Sequence, residues 1–155
     1  MTRVALAVPV EVGVPAEVLW RAVTDWERQG EWMLATTVRR TGGDGHSPGS
    51  TWSAVTGVGA LAVDDRIELV ELVEGGPWRA TVRHTGRIIR GDGVFTVDEL
   101  GPARSRFTMA ERLDLPFGVL GRAGWVLAKP LARAGIALSL RRLARRVEAG
   151  YAARG

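Results

Sequence analysis

The sequence predicts an α+β fold in which one antiparallel sheet is followed by a long C-terminal helix. Three observations carry this expectation. Val4, Leu6, Val8, Val10, Val12 and Val14 recur at every second position, the period of a strand with one face on a core. Residues 36–114 read as strands separated by hairpin-length turns rich in glycine, which fits an antiparallel meander rather than parallel units joined by crossover helices. Beyond Pro116 the apolar period becomes helical: Ile136, Leu140, Leu143 and Val147 fall on one stripe at spacings of four, three and four. A chain of 155 residues has room for one such domain, so residues 1–155 are read as a single unit.

The elements follow in order. The first strand carries Pro9 on the face opposite its valines, where the missing ladder donor predicts a bulge or bend. Pro15-Ala16-Glu17 opens a helix with proline at its start and an acid near the positive end of the dipole. Val18, Leu19, Ala22, Val23 and Trp26 give that helix its apolar face, and Gly30 ends it or a short successor, so two short helices follow the first strand. Strands are expected at Val38–Thr41, Ser50–Val58, Arg66–Glu74, Trp78–Thr85, Ile88–Glu99 and Arg104–Leu115, with Gly91 and Gly93 bending the sixth strand of the chain. In the last helix Leu120, Leu127, Leu131 and Leu138 add a second stripe. Its first half would therefore face the sheet and an interior space together, with a kink at Pro130.

Composition narrows the function classes. The chain has no cysteine, which removes thiolate metal sites, cysteine nucleophiles and disulfide frameworks. Charge is uneven: residues 1–100 carry 10 Arg against 14 Asp and Glu, and residues 101–155 carry 11 Arg and Lys against 3. The arginines are not interleaved with aromatic residues as in a single-strand nucleic-acid groove, so no nucleic-acid partner is expected. Arg133, Arg141, Arg142, Arg145 and Arg146 of the last helix either compensate acids of the first 100 residues or meet an anionic membrane surface. No apolar run reaches membrane-spanning length, and the alternation in residues 4–14 reads as a strand rather than a signal peptide, so a cytoplasmic protein is expected.

Several stretches carry a family resemblance. They are Val14-Pro15-Ala16-Glu17-Val18-Leu19-Trp20, Thr24-Asp25-Trp26-Glu27-Arg28-Gln29-Gly30-Glu31-Trp32-Met33, Asp65-Arg66-Ile67-Glu68 and Gly91-Asp92-Gly93-Val94-Phe95-Thr96-Val97. With the order of elements, they resemble the SRPBCC superfamily of START-like lipid carriers and polyketide cyclase/dehydrase proteins over nearly the whole chain. The resemblance implies a helix-grip fold, a curved sheet wrapped around the long helix, with an apolar cavity for a lipid- or polyketide-like molecule. It implies no shared catalytic set, because this fold hosts carriers, cyclases and sensors alike.

The residues themselves offer a few candidates. Trp78, Ala80, Val82 and His84 share one strand face, which places His84 among apolar neighbours, either as an acid/base or as a satisfied histidine at the strand rim. Phe107, Met109, Glu111 and Leu113 share another face, and Ile67, Leu69, Glu71 and Val73 a third. Glu71 and Glu111 are thus candidate pocket acids, or members of ion pairs. The candidate catalytic residues are His84, Glu71 and Glu111. The candidate ligand-binding residues are Trp32, Trp52, Trp78, Val82, His84, Phe107, Met109, Glu111 and Trp125, with core packing as the alternative for each tryptophan. His46 lies in a glycine-rich turn, and two histidines so far apart make no metal motif. No cofactor is expected: Gly42-Gly43-Asp44-Gly45 and Gly91-Asp92-Gly93 lack the strand-loop-helix setting of a phosphate loop. The leading expectation is a carrier or sensor of a hydrophobic small molecule. The alternatives are a polyketide cyclase or dehydratase, and an interaction module of the coenzyme Q-binding or toxin-like type.

Overall fold

The computed structural model describes residues 2–155. Seven strands run in the order β1 (Thr2–Val12), β2 (Thr36–Gly42), β3 (Thr51–Thr56), β4 (Val63–Val73), β5 (Trp78–Thr85), β6 (Arg90–Gly101) and β7 (Arg104–Leu115). Helix α1 (Ala16–Val23) and a 3-10 segment (Trp26–Glu31) sit between β1 and β2, a second 3-10 turn covers Gly59–Leu61, and helix α2 (Gly118–Arg154) closes the chain. The strands form one sheet ordered β1-β7-β6-β5-β4-β3-β2, with every neighbouring pair antiparallel. This is a helix-grip α+β fold.

Local chemistry accounts for the elements. Pro15 stands directly before α1, Glu17 lies in its first turn, and Ala16, Leu19, Trp20 and Val23 form its buried face. Thr24 ends the helix by donating its hydroxyl to the Trp20 carbonyl at 2.8 Å. Neither β1 nor β6 carries a bulge at the residues that suggested a bulge or bend. Pro9 pairs with Thr108 in unbroken register, with no bulge. Because β1 is an edge strand, a residue without an N–H is tolerated there. Gly91 and Gly93 likewise cause no shift of register against β5 or β7. Glycine is required at 91 for close approach: its φ is +130° and a Cβ would lie 2.0 Å from the Arg112 carbonyl oxygen.

The core lies between the concave sheet face, α1 and the C-terminal half of α2. Leu140, Leu143 and Val147 are buried there, with Leu6, Leu69, Phe95 and Phe107 from the sheet. The first half of α2 departs from the sequence reading. The sheet-facing stripe runs backward from Ile136 through Ala132 to Trp125 at spacings of four and seven, all three partly buried and packed against the core. A helix lying on one sheet buries one face, and this stripe claims it. Leu120, Leu127 and Leu131 therefore point outward, at 78%, 82% and 78% exposure, and Leu138 is also exposed. The helix is continuous through Pro130.

Candidate functional site

Three strands of the sheet bring a histidine between two carboxylates. His84 on β5 pairs with Ile67 of β4 on one side and Gly91 of β6 on the other. Asp65 is two residues before Ile67 on the same face of β4, and His84 Nδ1 lies 2.7 Å from its Oδ2. On the other flank, β6 separates β5 from β7. Gly93 of β6 pairs with both Val82 and Glu111, and its missing side chain leaves a path over the backbone. His84 Nε2 reaches Glu111 Oε2 across that path at 2.8 Å. A Cβ at position 93 would stand 2.9 Å from Glu111 Oε2 and 3.0 Å from Val82 Cγ2.

This arrangement fixes the charge of the imidazole. Burial pushes the His84 pKa down, but hydrogen bonds to Asp65 and Glu111, together with their charges, outweigh it and raise the pKa to about 10. At neutral pH both ring nitrogens donate, so His84 is a buried cation without a lone pair to accept a proton. It holds the two carboxylates in place and is no general base while so clamped. Two polar groups nearby lack partners: Asp65 Oδ1 and Gln29 Nε2 are buried without hydrogen bonds among the described residues.

Both line an interior cavity of about 170 Å³, with Trp26, Met33, Ile67, Val82, His84, Phe95, Met109, Glu111 and Ile136 among the other wall residues. A second chamber of about 110 Å³ lies beside it, walled by Val4, Leu6, Leu113, Trp125 and Ala132, and shares Glu111 and Ile136 with the first. A larger groove of about 380 Å³ lies elsewhere, between α1, the 3-10 segment and the end of α2. Its walls include Arg28, Glu31 and Arg146, with Glu31 paired to both arginines. The smaller space is the candidate site because it combines apolar walls with converging polar groups.

The sequence candidates separate accordingly. Val82, His84, Met109 and Glu111 line the first chamber and Trp125 the second. Trp32 packs edge-on against Phe107 at 6.4 Å, and Phe107 is fully buried against Phe95. Trp52 packs on Trp26, and Trp78 on Trp20. None of these four contacts the chambers. Glu71 also stands apart. The register of β4 against β5 shifts between Leu69 and Glu71, which turns the acid to the outer face, where it accepts from Arg79 at 2.8 Å and Thr81 at 3.2 Å. A bulge breaks the alternation on which the grouping with Leu69 relied. His46 pairs with Glu74 in an exposed turn. Asp65 and Gln29 were missed. Alternation in β4 puts Asp65 with Ile67 and Leu69 and could have identified it; Gln29, in a 3-10 segment, had no periodic signal. Among the described residues no cluster of His, Asp or Glu could hold a metal ion.

Fold and cavity together define the class: an SRPBCC protein with an interior chamber beneath the grip of its long helix. The chain belongs to the polyketide cyclase/dehydrase and lipid transport family, whose model matches residues 3–148. Solved structures agree on the fold. A protein from Thermus thermophilus superposes with a TM-score of 0.79 at 15% identity, covering 95% of this chain and 99% of that one. The Zhui aromatase/cyclase from Streptomyces sp. R1128 gives 0.77 at 11% identity, over 95% of this chain and 94% of its own. A START superfamily protein from Mycobacterium smegmatis gives 0.67 at 16% identity, over 94% of each chain. No curated protein matches the chain in sequence.

Proposed function

We propose that this protein holds one compact, largely apolar molecule bearing a hydrogen-bond donor in the chamber beside His84, as a carrier or sensor. The observation that carries the reading is the unpartnered Asp65 Oδ1, buried in a wall that also holds Trp26, Met33, Ile67, Val82, Phe95, Met109 and Ile136. A buried acceptor without a partner costs about 1–3 kcal/mol, which a ligand hydroxyl or amine would recover. Gln29 Nε2 offers a donor to an acceptor on the same ligand. About 170 Å³ suits a single aromatic ring, since a cavity of roughly 150 Å³ accommodates benzene. Extension past Glu111 into the second chamber would admit a second ring or a short acyl chain.

The test displaces an environment-sensitive apolar dye with 2-naphthol and with 2-methylnaphthalene. The hydroxyl compound should compete about tenfold or more better, as expected for a hydrogen bond to a charged group. Asp65→Asn should shrink that preference. Failure of both compounds to displace the dye would overturn the reading. Native mass spectrometry of protein from its own host would then identify the natural occupant.

A second reading rests on the unbroken carboxylate, imidazolium, carboxylate chain. Glu111 could pass a proton to or from a bound carbonyl compound, with His84 holding it in position, as a cyclase or dehydratase would require. The Streptomyces relative is described as an aromatase/cyclase. On this reading Glu111→Gln lowers turnover of an aromatising poly-β-carbonyl substrate while its binding persists; equal turnover by the variant removes it.

A further inference from the structure

The hydrogen bonds of His84 fix the charge that the chamber beside it carries. Its two ring nitrogens each lie within hydrogen-bonding distance of a carboxylate oxygen, Asp65 Oδ2 at 2.7 Å and Glu111 Oε2 at 2.8 Å. Carboxylate oxygens and bare ring nitrogens both carry lone pairs, so each contact needs one proton between its atoms. Setting those two protons against two carboxylates and the bare ring leaves the trio with one net negative charge, whichever atom each proton rests on. The side chains are only 8% (His84), 13% (Asp65) and 16% (Glu111) exposed, so water screens that charge less than it would at the surface.

The chamber walls supply no cation to offset it. None of the chain's 21 lysines and arginines lines either chamber. Arg66, Arg83 and Arg112 are sequence neighbours of the trio, and strand alternation turns each of them to the opposite face of the sheet. There Arg66 pairs with Asp64, and Arg83 with Asp92. Gln29 Nε2, the unpartnered donor in the first chamber, is neutral, and the unpartnered acceptor, Asp65 Oδ1, belongs to the charged trio itself. A ligand carboxylate or phosphate would meet this negative charge with no guanidinium or ammonium to receive it. An ammonium group brings the missing cation and N–H donors for Asp65 together.

We propose that the occupant of this chamber is a protonated amine on a compact apolar body, and that the chamber rejects carboxylates, free fatty acids among them. The proposal rests on the reading of the chamber as a ligand site given above, and it narrows the ligand's hydrogen-bond donor to a cationic one.

The experiment is an amide NMR titration of the full chain with three one-ring compounds of similar size, benzylamine, benzyl alcohol and benzoate, at about pH 6, where the amine is protonated and the acid ionised. Each Kd is read from shifts of the His84, Gly93 and Glu111 amides, which report on the chamber rather than the outer surface. Benzylamine should bind about tenfold or more tightly than benzyl alcohol, as a hydrogen bond to a charged group provides. Benzoate should bind at least about tenfold more weakly than the alcohol. Glu111→Gln removes one charge from the trio and leaves Asp65 in place, so the ratio of amine to alcohol affinity should fall about tenfold. Glu99→Gln removes an exposed acid from β6 and should keep the wild-type ratio. Benzylamine binding no more tightly than the alcohol, benzoate binding as tightly as the alcohol, or an amine preference undiminished in folded Glu111→Gln would each overturn the proposal while the chamber reading stands. Binding by none of the three would overturn both. The wild-type series decides even where Glu111→Gln does not fold.

Discussion

The clamp on His84 makes stability depend on alkaline pH, and the dependence can be worked out from its geometry. The folded-state pKa is about 10 against an ordinary 6.5. A group whose pKa rises on folding contributes stability in full below its unfolded pKa and loses it as pH climbs through the folded value. Between those limits the folded protein binds one more proton than the unfolded chain, so stability falls by about 1.4 kcal/mol per pH unit. From about pH 7 to pH 9 the loss is roughly 2.5 kcal/mol. That is a substantial part of the about 5–15 kcal/mol typical of a domain. At roughly 2–4 °C per kcal/mol for a chain of this size, Tm should fall by about 5–10 °C. Differential scanning calorimetry across this range measures it. The variant His84→Gln leaves Asp65 and Glu111 facing each other without a cation, so it should be about 3–5 kcal/mol less stable near neutrality. Its Tm should also lose the alkaline slope. A wild-type Tm that stays flat over these two pH units, or an equal slope in His84→Gln, would refute the assignment of a buried imidazolium.

Other outcomes follow from particular contacts. Gly91→Ala should destabilise the fold by more than about 3 kcal/mol in urea titration, since the new Cβ meets a backbone carbonyl at 2.0 Å in a left-handed conformation. Gly93→Ala should cost about 1–3 kcal/mol and reduce the alkaline slope of Tm, because its Cβ presses on the Glu111 carboxylate that holds His84. Trp20→Phe removes an indole donor bonded to Glu74 at 2.6 Å, whereas Trp52→Phe removes one that has no partner among the described residues. Chemical denaturation should show the first as the more damaging by about 1 kcal/mol. Asp44 accepts from the His46 and Ser47 amides and from the Ser47 and Ser50 hydroxyls. Its pKa is held well below the usual carboxylate range by the Ser47 hydroxyl first and those amides next. The order this bond set gives the turn is present above the ordinary carboxylate pKa and fades as pH falls through the lowered one. Asp44→Ala should speed hydrogen exchange at His46 and Ser47 without altering exchange in β6.

Much of the architecture was legible because strand and helix periods are local. The bounds of β5 and β7 coincide with the alternating runs Trp78–Thr85 and Arg104–Leu115, and the 136–147 stripe located the packed face of α2. The same alternation put His84 with Val82, and Glu111 with Met109, on the chamber side. Where a residue departs from the local period, sequence reading failed: one extra residue at the β4 bulge turned Glu71 outward. Helical spacing alone gave the first half of α2 two equivalent apolar faces. The sheet chose Trp125, Ala132 and Ile136, and left the leucines in the open.

By itself the sequence determined which side chains share a strand face, since alternation is a property of the extended backbone. Only the tertiary structure decided that Asp65, His84 and Glu111 form one charged unit. They lie 19 and 27 residues apart in pairs, and their meeting depends on the order of strands in the sheet and on an empty glycine face between β5 and β7. Neither is encoded in any local period. The imidazolium exists because two carboxylates approach within hydrogen-bonding distance of a largely buried ring, and that coincidence belongs to the packed fold.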